Sequence, residues 1–229
     1  MTEKFHEELS ELKRMVEGMG ELAKDMLETS VKALKEQDVE LAKSVINKCQ
    51  TIRELDQHIE EETLKLITLH QPMAKDMRLI ATILKMITYI TRIGRYGNDI
   101  AKMAIELSEE AHIGKLVSLP QMARIVCSMI DDALLAFGEQ DISHIADFKE
   151  REDTIDAMRY SIYREGISYM MENPKYITRC TQYILIARYL ERCGDHACKM
   201  AEKIHYMVTG EHKEIDYKSC CSPVISSLP

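Results

Sequence analysis

The chain has no tryptophan, and glycine and proline are scarce, at nine and five of its 229 residues. So few helix breakers leave room for long helices, and the helix-favouring Leu, Ala, Met, Glu and Lys are abundant. No apolar run reaches the ~18 residues that a membrane span needs. Cations are too few for sequence-independent binding to nucleic acid: 30 Lys and Arg stand against 38 Asp and Glu, a net charge of -8, whereas phosphate backbones are met by an excess of basic side chains. The amino terminus, polar and acidic from Met1 to Glu8, lacks the apolar core of a signal peptide, so a cytoplasmic location is expected. Also missing are a Gly-rich phosphate loop, a Gly-x-Ser-x-Gly elbow, a metalloprotease motif and a nucleophile beside a base. Catalysis is therefore not expected, and the chain is read as a non-enzyme.

Seven cysteines form an odd set without the paired spacings of a zinc site or a disulfide scaffold. Cys127, Cys180 and Cys193 lie in apolar-periodic stretches and are expected as buried thiols. Cys220 and Cys221 stand near Ser222 and Pro223, in a segment that reads as a tail.

What is present is helical periodicity. Phe5, Leu9, Leu12, Val16, Met19, Leu22 and Met26 recur at three- and four-residue steps and continue to Leu34. A break at Gln37 and Asp38, with Asp38 as N-cap, starts a second helix that must stop before Pro72. A third is predicted from about Met73 to near His112. After a boundary between Gly114 and Pro120 the pattern returns: a helix from Gln121 to Phe137, a break at Gly138 to Asp141, a helix from Ile142 to Met171, then Asn173-Pro174 and a last helix to about Gly210. Pro72 and Pro174 are 102 residues apart, and the triplets Arg92-Ile93-Gly94 and Arg192-Cys193-Gly194 are 100 apart. Such near-equal spacing indicates a tandem duplication. The fold class is all-α, two tandem three-helix bundles, with one repeat over 1–115, a second over 116–210 and a C-terminal tail over 211–229. Each repeat is too thin to bury its apolar face without the other.

Within the last helix, Glu191 and Asp195 are four residues apart and share a face, where two carboxylates repel by a few tenths of a kcal/mol. Gly194 beside them costs the helix roughly 1 kcal/mol relative to Ala. The neighbouring helix carries Glu152 and Asp156, again four apart. Two helices each offering an acidic pair can build a metal site from carboxylate oxygens, but from spacing alone a solvated acidic face is the better account. The stripe Arg188, Glu191, Asp195, Cys198, Glu202 and His205 is accordingly either the wet face or a site. Two Glu-x-x-His pairs, Glu202 with His205 and Glu109 with His112, add a carboxylate-metal, di-iron-like bundle for metal oxidation or storage as an alternative.

The string Leu190-Glu191-Arg192-Cys193-Gly194-Asp195-His196-Ala197 resembles the signature of the PhoU family of phosphate-uptake regulators, which has a Leu-Glu-Arg-Ile-Gly-Asp-like string in each of two repeats. His70-Gln71-Pro72-Met73-Ala74-Lys75-Asp76-Met77-Arg78 is similar to that family's approach to its third helix. The resemblance extends to about Gly210. It implies two similar three-helix bundles and a regulator that links a phosphate transporter to phosphate-starvation signalling. It also implies partners in the transporter's ATPase subunit and a sensor kinase, and iron or zinc held by Glu152, Asp156, Glu191 and Asp195. An accessory subunit of a different phosphate transporter is the remaining alternative.

The first repeat departs from the pattern. Thr91 and Arg95 stand where the family has Glu and Asp, and Cys49 and Arg53 replace the acidic positions of the partner helix. A metal is therefore expected in the second repeat only. Arg53, Arg95 and Lys102 instead form a basic face, expected to complement the acidic one within the chain or across a homodimer. Gly94, Gly97 and Gly194 are read as points of close helix approach, with or without a metal.

Overall fold

The computed structural model describes residues 3–215. It consists of α1 (Glu3–Glu36), α2 (Val39–His70), α3 (Ala74–Leu107), α4 (Ser118–Glu139), α5 (Phe148–Glu172) and α6 (Ile177–Thr209), with 3-10 turns at Ile142–Ile145 and Pro174–Tyr176. Among the described residues there is no strand, so the all-α, two-bundle architecture stands. Cys220 and Cys221, with most of the expected tail, lie outside the described residues.

The periodic residues are the buried ones. Phe5, Leu9, Leu12, Val16 and Met19 line the inner face of α1, and charged residues occupy the rest of it. Asp38 caps α2 by accepting the Leu41 N–H at 2.9 Å. The connections use glutamine where glycine is usual: Gln37, Gln71 and Gln140 have φ of 54°, 46° and 57°. A left-handed residue with a Cβ costs about 1–2 kcal/mol. At Gln37 the side chain offsets this, because its amide donates to the carbonyls of Leu107 and Glu110 at 3.1 and 2.6 Å and so ties the α1–α2 turn to the end of α3.

Three helix ends differ from the sequence reading. The third helix stops at Leu107 rather than near His112. The fourth begins at Ser118 rather than Gln121, because Pro120 falls in its first turn, where no N–H is needed for the helix. The fifth begins at Phe148, not Ile142. Asp141 accepts the Ser143 N–H at 2.9 Å and opens a 3-10 turn. Ile142, Ile145 and Phe148 recur every third residue, a spacing that a 3-10 turn satisfies as well as an α-helix does.

The two repeats share one core, which runs without a break from Phe5 of α1 to Met207 of α6. They meet along two antiparallel seams. On α1 and α4, Lys13 Nζ donates to the Gly138 carbonyl at 2.9 Å and Lys24 Nζ meets Asp131 Oδ1 at 2.5 Å. On α3 and α6, Thr82 Oγ1 donates to the Lys203 carbonyl, and the Tyr96 and Tyr189 rings lie 5.3 Å apart. The α2–α3 and α5–α6 hairpins consequently point to opposite ends of the molecule. α1 and α3 approach closely at Gly97, where an added methyl group would lie 3.0 Å from the backbone of Met26 and Leu27.

Candidate functional site

The acidic face is positioned by a notch. A methyl group on Gly194 would lie 3.1 Å from Ile155 Cδ1, so α5 approaches α6 through the missing side chain. The first repeat has the same joint: a methyl group on Gly94 would lie 2.5 Å from Ile52 Cδ1. The notch thus recurs in the repeat that has no acidic pairs. Its first role is helix packing.

Around that notch the carboxylates are not a solvated face. Glu152, Glu191 and Glu202 are buried, and Asp156 and Asp195 are half-buried. Glu191, 8% exposed, accepts a hydrogen bond from Arg188 Nη1 at 2.9 Å, with Arg159 Nε at 3.7 Å and Arg192 Nε at 3.8 Å. Its Oε2 atom is buried without a hydrogen-bond partner. Burial, and next the Asp195 carboxylate, push the Glu191 pKa up, and the three arginines pull against them. Arg192 also donates to Asp195 at 3.1 Å, while Lys149 donates to Glu152 at 2.8 Å and to Asp153 at 2.9 Å. The four predicted ligands therefore lie on facing helices, and among the chain's own cations Lys149 holds Glu152, Arg159 and Arg188 hold Glu191, and Arg192 holds Asp195.

At the equivalent place in the first repeat, Thr91 Oγ1 donates to Asp56 Oδ1 at 3.0 Å. A neutral hydrogen bond to a carboxylate there takes the place of the Glu191–Arg159 contact. Arg53, Arg95 and Lys102 are all exposed. Arg53 donates to Cys49 Sγ at 3.4 Å, and Lys102 pairs with Asp99 at 3.8 Å. The side chains that join the repeats along α3 and α6 include Tyr89, Tyr96 and Tyr189, Thr82, and Gln182 on Glu106.

Several contacts had no counterpart in the sequence reading. Glu202 accepts Lys199 Nζ and also the backbone N–H of Ile215, at 3.1 Å, which draws the chain after α6 back onto the bundle. His112 has both ring nitrogens engaged, Nδ1 by the Tyr183 hydroxyl at 2.8 Å and Nε2 by the Leu34 carbonyl at 2.9 Å. His112 thus ties the segment after α3 to α1 and α6. His196 lies within 6.0 Å of both Tyr89 and Tyr96, near-parallel to each. Among the described residues, one group of three His, Cys, Asp or Glu side chains has its ligand atoms within 4.8 Å of one another: Glu139, Asp141 and His144, at the α4 end. There Asp141 caps the turn and His144 Nε2 lies 2.9 Å from Glu139 Oε2. Cys127, Cys180 and Cys193 are buried free thiols, as expected, and Cys49 and Cys198 are buried too.

Known proteins match this arrangement over nearly the whole chain. The PhoU domain model matches twice, over residues 16–104 and 119–204, one match for each bundle. Proteins named "phosphate-specific transport system accessory protein PhoU homolog" include one from Rhizobium meliloti, 35% identical over 207 residues, covering 90% of this chain and 87% of its own. Another, from Aquifex aeolicus, is 35% identical over 218 residues, covering 94% and 99%. The crystal structure of PhoU from Pseudomonas aeruginosa superposes with a TM-score of 0.87 at 33% identity, over 90% of this chain and all of that one. That of the phosphate transport system regulatory protein PhoU from Streptococcus pneumoniae superposes with a TM-score of 0.84 at 30% identity, covering 92% and 99%.

Proposed function

Since this chain belongs to the PhoU family, we propose that it is an accessory regulator of phosphate-specific transport, acting by contact rather than by catalysis. The observation that supports this reading most is the double match: both repeats fit the family model, and relatives named as transport accessory proteins align over nearly their whole length. The finer partners are the transporter's ATPase subunit on the cytoplasmic side and a sensor kinase, with the regulator working as a homodimer. No helix among the described residues is long and apolar enough to cross a membrane, so contact with a transporter would be made from the side. The test is to delete the gene and measure phosphate uptake and a phosphate-starvation reporter at high phosphate. Deregulated uptake or reporter, restored by the wild-type chain, is the expected result; unchanged uptake and reporter would end the reading. Co-purification with the ATPase subunit, and light scattering for the dimer, check the finer claims.

A second reading concerns the acidic face. We propose that Glu152, Asp156, Glu191 and Asp195 hold iron or zinc in the second repeat. The donor set is all oxygen, and Glu191 Oε2 is a buried ligand atom without a hydrogen-bond partner. Such an ion would supply positive charge between α5 and α6, which Arg159 and Arg188 supply otherwise. Metal content is measured in protein purified without chelator, beside a Glu191→Ala/Asp195→Ala double variant. Loss of metal in the variant is expected. Equal content in both, or none in either, would sink the assignment.

A further inference from the structure

A sizeable cavity among the described residues lies outside the acidic face. It is a groove of about 640 Å³ between the C-terminal half of α1 and the start of α4. Its rim carries Lys32, Lys35, Lys115 and Arg124, all exposed, and none forms an ion pair with a described carboxylate. Lys24 also lines it but is committed to Asp131. Glu28 and Glu36 are the other carboxylates of the lining, so the groove is cationic on balance in a chain whose net charge is -8. Its floor is apolar, built from Val31, Leu116, Pro120, Ala123 and the buried Cys127. Val117 stands 54% exposed at one end.

Each feature narrows the ligand. A surface acidic overall repels acidic partners everywhere except where its field reverses. An inorganic anion would use the rim and leave the apolar floor wet. A nucleotide base would want an aromatic side chain to stack on, and the lining has none. The walls are two antiparallel helices. From Lys24 to Glu36 at ~1.5 Å per residue the groove is roughly 18 Å long, the length of about three helical turns. We infer that this groove docks an acidic amphipathic helix from another protein, its apolar face on Leu116, Val117 and Pro120 and its carboxylates on Lys32, Lys35, Lys115 and Arg124. This is the helix-in-groove mode, in which apolar residues every three to four positions anchor the ligand. It stands apart from the transport reading, because it concerns the chemistry of a partner rather than its identity.

The full-length chain is tested in cells with a photo-crosslinking residue, Val117→p-benzoylphenylalanine, and the crosslinked segment is sequenced. The expected adduct is a segment of another protein with net negative charge and apolar residues at helical spacing. In a Lys35→Glu/Lys115→Glu/Arg124→Glu background its yield should fall about tenfold or more. A Lys35→Ala/Lys115→Ala/Arg124→Ala background should fall between, and circular dichroism checks that both variants fold. No adduct, an adduct with a second copy of this chain, a neutral or basic segment, or a yield indifferent to charge reversal would each overturn the inference. So would a purified chain that binds inorganic polyphosphate in the groove but not a synthetic Glu/Leu amphipathic peptide.

Discussion

At the scale of single residues, two buried titratable groups on α6 pull stability in opposite directions with pH. His196 is enclosed by Tyr89 and Tyr96; burial, and then the Arg92 and Arg192 charges, hold its pKa down at about 4 against 6.5 for a free imidazole. The folded chain therefore keeps a neutral ring where the unfolded chain takes a proton. Stability is lost as pH falls from 6.5 towards 4, by up to about 3 kcal/mol at ~1.4 kcal/mol per unit. His196→Phe should flatten that loss in urea melts at pH 7, 6 and 5. An unchanged slope would place the acid sensitivity elsewhere. In the metal-free chain Glu191 works with the opposite sign. Its carboxyl is raised by burial and by Asp195, so ionising it costs the folded state, and its contribution improves as pH falls towards the unfolded value near 4.3. Glu191→Gln should remove this trend while leaving the His196 limb intact, as the same melts would show.

At the scale of helices, glycine has two opposite meanings in this chain. Gly18 has no neighbour within 4 Å of an added methyl group, so Gly18→Ala should gain about 0.5–1 kcal/mol from helix propensity alone. Gly97 faces the backbone of α1, which cannot move aside as a side chain can. Gly97→Ala should cost about 1–3 kcal/mol from overpacking, despite the same gain in propensity. Thermal melts of the two variants should therefore move in opposite directions. Gln140, at φ 57° with no side-chain hydrogen bond to another described residue, should gain about 0.5–1 kcal/mol on substitution by glycine, whereas Gln37→Gly should not, since it gives up two hydrogen bonds to the end of α3. Six helices and the Asp38 cap were legible from spacing and turn chemistry. The start of α5 was not, because Ile142, Ile145 and Phe148 satisfy period 3.0 and period 3.6 alike over so short a stretch. The facing of Glu191 and Asp195 by α5 could be read from the duplication. That Arg159 reaches Glu191 could not, since this depends on how far α5 slides along α6, a register that Ile155 sets by seating at Gly194.

At the scale of the molecule, duplication was readable but docking was not. Punctuation at matching intervals announces two copies, yet nothing in the spacing says that the second runs antiparallel to the first. That orientation is decided by side chains of several kinds: Leu134 filling the space over Gly20, Tyr96 against Tyr189, Lys24 on Asp131. Because these contacts belong to one core, the two repeats should unfold together. Calorimetry is expected to show a single transition, and a fragment ending at residue 115 should lack a cooperative melt. Two resolved transitions, or a cooperative isolated half, would mean that the seams are only incidental.

The shared core also has a consequence for the timing of synthesis. Tyr89, Tyr96 and the surface over Gly20 are covered by α4 and α6, and α6 is the last of the described helices to be made. About a hundred residues separate the end of α3 from the end of α6, and at roughly 5–20 residues per second the ribosome needs some 5–20 s to supply them. For that interval the first repeat is complete but bare on one side. A nascent chain arrested just after Leu107 should therefore recruit holdase chaperones, and one released after Thr209 should not.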